Sequence, residues 1–260
     1  MVLKHLLSGG RVRREIAVGL HGAVWAYRSS GGRSDVPEMR FLDSFDLDGR
    51  VAVDVGAHAG NWALNLARRV GPSGLVLAYE ALPHYGRALS LSIRLLRVRN
   101  IRVRAIAVGE RDGKTALRWR SEDNELLTGR THIQPGENAS SSVAEVKMAT
   151  LDHDLSSQGI QPSDVGFVKI DVEGAEVQVL RGAANILRVG HPAVYLEVEP
   201  PWLERMGHSA ADIFETMKYH GYRPFLVSNS DLIPTNIDTY MAQYADGRAY
   251  NNVLFLPAGN

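Results

Sequence analysis

Val51-Ala52-Val53-Asp54-Val55-Gly56-Ala57-His58-Ala59-Gly60-Asn61 is a short apolar run, a turn bracketed by glycines, and the start of a helical pattern. The run reads as a strand. The helix-like stretch continues from Asn61 to Val70 and is stopped by Gly71-Pro72-Ser73-Gly74. Outward from this unit the same rhythm repeats. Leu75–Tyr79 is a second strand ending at Glu80, a helical pattern fills about 83–97, and Ile101–Val108 is a third strand stopped by Gly109. Further on come a fourth strand, Val165–Ile170, a helix from about 174 to 188, and a fifth strand, Ala193–Val198. Ala210–His220 is helical behind a Ser209 cap, and Arg223–Val227 and Asn252–Leu256 close the pattern. Strands alternating with helices imply an α/β fold with a mostly parallel sheet of seven strands and helices on both faces. The two closing strands suit an antiparallel edge pair.

Between the third and fourth strands the rhythm breaks. Lys114–Arg120 and Ser142–Thr150 alternate like strands, with the polar segment Ser121–Ser141 between them. This is read as a β insertion with a loop at its tip, of a length often found in lids and substrate loops. Residues 1–50 read as a helical extension with a Ser29-Ser30-Gly31-Gly32 joint, and 51–260 as one domain.

The chain has 260 residues, 29 Lys+Arg against 29 Asp+Glu, 45% hydrophobic residues and no cysteine. That length suits one large α/β domain or two small ones. The missing cysteine excludes a disulfide scaffold, a zinc–thiolate site, an iron–sulfur cluster and a thiol nucleophile. A zero net charge gives no argument for a nucleic-acid partner. Arg11, Arg13, Arg14 and Glu15 interrupt the first apolar residues, so no uninterrupted signal-peptide core is expected. No run approaches the roughly 20 apolar residues of a membrane helix. The expectation is a cytoplasmic chain, with at most peripheral membrane contact through the basic first 14 residues. A second basic stretch, residues 81–109, holds Arg87, Arg94, Arg97, Arg99, Arg102 and Arg104 and no acid. It reads as a solvated helix face and strand edge, or as a surface for an anionic lipid or acceptor.

Parallel sheets bind ligands beyond the carboxyl ends of their strands, at the topological switch point. Gly56 and Gly60 allow backbone to approach a ligand closely, and the helix start at Asn61 offers free N–H groups. Glu80 is placed to accept from ribose hydroxyls. The glycine spacing is not G-x-G-x-x-G, and Asp54 just before the turn would repel a pyrophosphate. An acid there suits a ligand with an amino group and a sulfonium charge, which favours S-adenosylmethionine over a dinucleotide. A generic strand-to-helix turn is the other reading.

Further acids gather on the same rim. Asp171 ends the fourth strand, Glu173 follows, Glu176 starts the next helix, and Glu197 and Glu199 end the fifth strand. Asp171 and Glu197 are thus expected as neighbours. Glu176 reads as a first-turn acid stabilising its helix, and Lys169 as a strand residue paired with an acid. Trp62, Trp119 and Trp202 could form an aromatic wall, though core packing suits each. Pro200-Pro201-Trp202, directly after the fifth-strand acids, is the best placed.

Val165-Gly166-Phe167-Val168-Lys169-Ile170-Asp171-Val172-Glu173-Gly174-Ala175-Glu176, followed by Val179-Leu180-Arg181-Gly182-Ala183, resembles the signature of the FkbM family of S-adenosylmethionine-dependent methyltransferases. Val53–Asn61 looks like that family's donor-binding turn, Glu80 like its second-strand acid, and Ala107-Val108-Gly109 like its third-strand end. Thr150-Leu151-Asp152, Glu197 and Asn252-Val253-Leu254-Phe255 also fit its pattern, so the resemblance spans about 51–256. It implies a Rossmann-like class I methyltransferase fold and methyl transfer, most often to oxygen. The acceptors implied are sugar hydroxyls on glycolipids and polysaccharides, or polyketide hydroxyls. The donor-binding set is then Asp54, Gly56, Ala57, His58, Gly60, Asn61, Glu80, Ala81, Ala107 and Asp171.

An alcohol acceptor must lose its proton near the moment of transfer, to a base or through a metal. Asp171, Glu173, Glu197 and His132 are the catalytic candidates, with His58 a further histidine beside Asp54. By resemblance to other O-methyltransferases, Asp171 and Glu197 could hold Mg²⁺. The competing readings are a nicotinamide-dependent oxidoreductase, against which the glycine pattern speaks, and a non-catalytic binding protein of the same fold. The expected partner is a small-molecule or glycolipid acceptor with a free hydroxyl, with no nucleic acid and with homodimerisation allowed.

Overall fold

The computed structural model describes residues 37–118, 132–133, 143–228, 231–247 and 251–259. A 3-10 helix, Pro37–Ser44, leads into β1 (Val51–Val55), α1 (Asn61–Arg69), β2 (Leu75–Tyr79), α2 (Pro83–Leu96) and β3 (Ile101–Arg104). Then come β4 (Ala107–Val108), β5 (Gly113–Arg118), β6 (His132–Ile133), β7 (Val143–Ala149) and α3 (Leu151–Ser157). The second half holds β8 (Val165–Ile170), α4 (Glu176–Arg181), β9 (Ala193–Glu197), α5 (Pro200–Arg205) and α6 (Ala210–Tyr219). It closes with β10 (Tyr222–Ser228), β11 (Asp231–Pro234), α7 (Ile237–Ala245) and β12 (Asn252–Pro257).

The large sheet runs β11-β10-β12-β9-β8-β1-β2-β3, and the pairs from β9 to β3 are parallel. The chain steps from β1 outward to β3 and later returns to β8 on the other side, so the switch point lies between β1 and β8. There Asp54 is in register with Lys169, and Val55 with Ile170. β1 is buried along its whole length, as a strand covered on both faces must be.

Alternation along the strands sorts the side chains onto two faces. Val51, Val53 and Val55 join one apolar cluster with Leu77, Val168 and Leu196. Ala52 joins the other with Val76, Ala78, Phe167 and Tyr195. The same period carries Asp54, Lys169 and Glu197 onto the second face, so their meeting at the rim follows from strand geometry. The 3-10 helix packs on that face as well. Phe41 lies 5.0 Å from Tyr195 between ring centroids, and Trp62 stacks on Phe167 at 6.5 Å. Residues from Met39 onward therefore share the core of the sheet. Residues 1–36, with the Ser-Ser-Gly-Gly joint, lie outside the described residues.

The α/β class and the mostly parallel sheet are as expected, with differences in detail. Among the described residues the sheet has eight strands rather than seven, because β11 adds an antiparallel edge to β10. The expected third strand divides: Ile101–Arg104 stays with β2, while Ala107–Val108 leaves to pair with β7 in a separate four-stranded sheet. The β insertion is this small sheet, with β5 and β7 antiparallel. Its expected tip, 121–141, lies outside the described residues except for His132–Ile133.

The helix expected over 174–188 is split into α4 and a π-helical turn at Ile186–Gly190. Two local causes are visible. Gly182 presses on the chain at Gly109, where a Cβ would lie 2.0 Å from the carbonyl oxygen. The Asp152 carboxylate accepts from the N–H groups of Asn185 and Ile186 at 2.8 and 3.0 Å and so starts a new segment. α6 begins at the expected Ser209, in a reciprocal capping box with Asp212. Among the described residues no helix is long and apolar enough to cross a membrane.

Candidate active site

The turn after β1 is held from both sides. The N–H groups of Gly56 and Ala57 donate to the Tyr79 carbonyl at 3.0 and 2.9 Å, and that of Asp171 donates to the Val55 carbonyl at 3.1 Å. Gly56 has φ 80°, and a Cβ there would lie 1.9 Å from the Asp171 carbonyl oxygen. Only glycine fits both demands. Gly60, at φ 88°, precedes α1 and abuts Leu89.

His58 adopts φ 44°, an uncommon conformation for a residue with a side chain. Two contacts hold it there: its N–H donates to Glu80 Oε2 at 2.8 Å, and its ring lies 4.4 Å from that of Tyr85. Its Nε2 is buried and has no hydrogen-bond partner. Burial, then the Lys169 charge, lowers its pKa and keeps the imidazole neutral near pH 7. Glu80 also accepts from Leu82 N–H at 2.9 Å, through Oε1. Burial pushes the Glu80 carboxyl up to about 7 despite those two bonds. Each oxygen keeps a second lone pair for a ligand.

These groups border a cavity of about 290 Å³ at the carboxyl ends of β1, β2 and β8. Gly56, His58, Glu80 and Asp171 form its polar side. Ile106, Ala107, Val108 and Leu117 form an apolar side, the last contributed by the small sheet. The cavity is mixed in the way small-molecule sites are, mainly apolar with a few convergent polar groups.

Beneath the polar side lies Lys169, almost fully buried. Its Nζ donates to the Gly56 carbonyl at 3.1 Å and pairs with Asp171 Oδ2 at 3.1 Å and Asp54 Oδ1 at 3.5 Å. Burial opposes the charge on Lys169, but Asp171 and Asp54 outweigh it and its pKa rises. Asp54 is fully buried and neither of its oxygens has a well-formed hydrogen bond; Lys169 at 3.5 Å and the Ala63 backbone N–H offset part of that burial. Burial pushes its carboxyl up against the pull of Lys169.

Asp171, Glu173 and Glu197 can each bring one oxygen within 4.8 Å of the others. Glu173 has φ 55° and Gly174 φ 103°, and a Cβ on Gly174 would lie 2.4 Å from the Trp202 carbonyl oxygen. The acidic turn is thus pinned against α5. Glu176 turns back and accepts from the N–H groups of Val172 and Gly174 at 3.0 and 3.2 Å. It braces the turn, and burial pushes its carboxyl up to about 7. Burial, followed by the charges of Asp171 and Glu173, pushes the Glu197 carboxyl well above the usual carboxylate range, beside Asp171.

Of the residues singled out in the sequence, Gly56, His58, Glu80, Ala81, Ala107, Asp171 and Glu173 border the cavity. Asp54 is buried in β1, Ala57 is buried within the turn, Gly60 caps α1, Asn61 is exposed, and Glu197 stands beside Asp171 off the wall. His132 contributes backbone to β6, opposite Arg118, and its side chain lies outside the described residues, as does Trp119. Trp62 belongs to the aromatic core, and Trp202 has the Arg205 guanidinium 4.2 Å over its ring. Tyr85 and Leu117 were not foreseen. Tyr85 had a signal, an aromatic in the first turn of the helix after Glu80. Leu117 had none, because its place depends on how the small sheet folds back.

A family profile described as "Methyltransferase FkbM domain" matches residues 54–224. No curated protein matches the chain significantly. Among solved structures, a methyltransferase FkbM from Methylobacillus flagellatus KT is 14% identical with a TM-score of 0.48, and the match covers 98% of this chain and 57% of that one. This chain therefore spans little more than half the length of that protein. A SAM-dependent methyltransferase from Aquifex aeolicus is 13% identical with a TM-score of 0.45, covering 85% and 88% of the two chains. A precorrin-6y C5,15-methyltransferase from Geobacter metallireducens GS-15 is 14% identical with a TM-score of 0.44, covering 86% of each.

Proposed function

The chain belongs to the FkbM methyltransferase domain family, and from that premise we propose that it transfers a methyl group from S-adenosylmethionine to a hydroxyl oxygen. The acceptor in this reading is a sugar of a glycolipid or polysaccharide, or a related natural product. The observation that carries the donor assignment is the cavity at the switch point, with a backbone-fixed Glu80 on one side and an apolar recess on the other. The residues fit such a donor. The Glu80 lone pairs suit ribose hydroxyls, and the unpartnered His58 Nε2 offers one more polar contact. Ile106, Ala107, Val108 and Leu117 suit the faces of an adenine ring.

When bound, S-adenosylmethionine supplies a methyl group already activated on a sulfonium sulfur, so the protein's task is mainly positioning. Asp171 is the group best placed to receive the acceptor's proton. It lines the cavity, one of its oxygens is tied to Lys169, and Glu197 sits beside it. A positioned base of this kind contributes about 10²–10⁴-fold. The same three carboxylates have the hard oxygen chemistry that Mg²⁺ prefers. Asp171, Glu173 and Glu197 would hold it, and a metal there would lower the pKa of an acceptor hydroxyl.

Calorimetric titration of ligand-stripped protein with S-adenosylmethionine and with NAD tests the reading. Heat with the first and none with the second is expected. Absence of heat with S-adenosylmethionine would sink it. Once an acceptor is identified by mass spectrometry of lipid and polysaccharide fractions from a deletion strain, EDTA separates the two proton routes. Retained activity excludes the metal route and requires a protein base, for which Asp171 is the candidate, and lost activity restored by Mg²⁺ assigns the proton to the metal route.

A further inference from the structure

A buried cation is costly, by several kcal/mol after relaxation, so the partners of Lys169 matter. An ammonium has three donors and no acceptor. Lys169 has three oxygens around it, one from each of three chain segments: Asp54 in β1, Gly56 in the turn, and Asp171 at the end of β8. The shorter contacts, both 3.1 Å, go to Gly56 and Asp171, which border the cavity. The longer one, 3.5 Å, goes to Asp54, which does not. A lysine present only to neutralise Asp54 would show the opposite order. Gly56 has no side chain through which to be fixed, and its φ of 80° is held from the carbonyl side by this one ammonium.

We propose that Lys169 is the positioning residue of this site: it ties the donor-binding turn to Asp171, and Asp54 acts on the ligand only through it, as its counter-ion. The proposal rests on the cavity being the donor site. Fixing the Gly56 carbonyl sets the course of the turn through His58, whose N–H reaches Glu80. Fixing one oxygen of Asp171 holds that carboxylate at the cavity wall. The arrangement links ribose recognition at one end to proton acceptance at the other through a single side chain.

The test compares Lys169→Met, Asp54→Asn and the double variant D54N/K169M in the full chain. Three quantities are read: melting temperature, amide hydrogen exchange of peptides covering 54–61 and 171–176 without ligand, and S-adenosylmethionine affinity. K169M strands Asp54 and should melt well below the native chain. D54N/K169M should regain most of that stability. Its exchange in both peptides should still be at least ~10-fold faster, and its donor affinity at least ~10-fold weaker, than native, about 1.4 kcal/mol in each case. D54N alone should show a smaller loss than the double variant. A double variant with native exchange and affinity reduces Lys169 to a neutralising residue and overturns the proposal. D54N alone matching the double variant's loss gives the role to Asp54 and also overturns it. If D54N/K169M does not fold, D54N/K169Q is read against the same outcomes. If the native chain gives no heat with S-adenosylmethionine, the methyltransferase reading fails while the exchange measurement still decides the positioning role.

Discussion

Asp54 and Asp154 are both buried carboxylates near the carboxyl ends of the strands, and they are treated in opposite ways. Asp154, on α3, accepts from Tyr79 Oη at 2.7 Å, from Gln158 Nε2 at 2.8 Å and from Arg104 Nε at 3.0 Å, with a second Arg104 contact to its other oxygen. It binds β2, β3 and α3 into one unit. Asp54 has no well-formed hydrogen bond on either oxygen. The difference teaches where the fold gives up stability. A satisfied polar network is a strut, whereas a buried polar group left short of partners asks for an explanation. At the rim that explanation extends to the neighbours: His58 and Glu173 hold left-handed conformations there, at a cost of about 1–3 kcal/mol each.

The contrast is broken most severely at Gly56. Gly56→Ala puts a Cβ 1.9 Å from backbone and forces a φ of 80° on a residue that resists it. Donor binding should disappear in calorimetry, and unfolding free energy should fall by about 3 kcal/mol or more. A Gly56→Ala chain that still binds S-adenosylmethionine would mean that the turn is not the donor's seat.

Asp154→Ala attacks the other side of the comparison. It leaves Tyr79 Oη buried without a partner and releases Arg104, so stability in urea should fall by about 3 kcal/mol. Donor affinity, measured below the melting range, should change less than ~5-fold, or under about 1 kcal/mol. Equal damage to affinity from both substitutions would erase the distinction between strut and site.

Much of the rim was legible in the sequence because strand-end positions follow from a two-residue period. Val51–Val55 with its glycine turn, Glu80 after β2, Asp171 after β8 and Glu197 at the end of β9 all stand where alternation puts them. What escaped depends on long-range pairing. Lys169 reads as one acid's partner, and nothing local says that its ammonium reaches three segments. Leu117 reaches the cavity only because the small sheet folds over it. The edge strand β11 owes its place to pairing with β10, a contact that Asp231–Pro234 does not announce. The helix after Asp171 reads as continuous because its break is imposed by Gly109 and Asp152, both more than one element away.

The subtlest version of the comparison concerns Glu176, which is buried like Asp54 yet hydrogen-bonded like Asp154. Its carboxyl accepts two backbone N–H groups, but burial is the larger effect and pushes its pKa from 4.5 up to about 7. Below pH 4.5 the group is protonated in both states and has no pH-dependent effect. Between about pH 4.5 and 7 the unfolded chain ionises first, so stability falls as pH rises; above 7 both states are ionised and the deficit stays constant. The full shift corresponds to an upper limit of about 3 kcal/mol. Glu176→Gln keeps the accepting oxygen and removes the titration. Its stability relative to the native chain, from urea unfolding at pH 5, 6, 7 and 8, should rise up to pH 7 and then level. A flat difference, or one of opposite slope, would show that the two N–H groups outweigh burial. Glu176 would then belong with Asp154 as a satisfied strut, and the acidic turn it braces would carry no stored ionisation cost into the site.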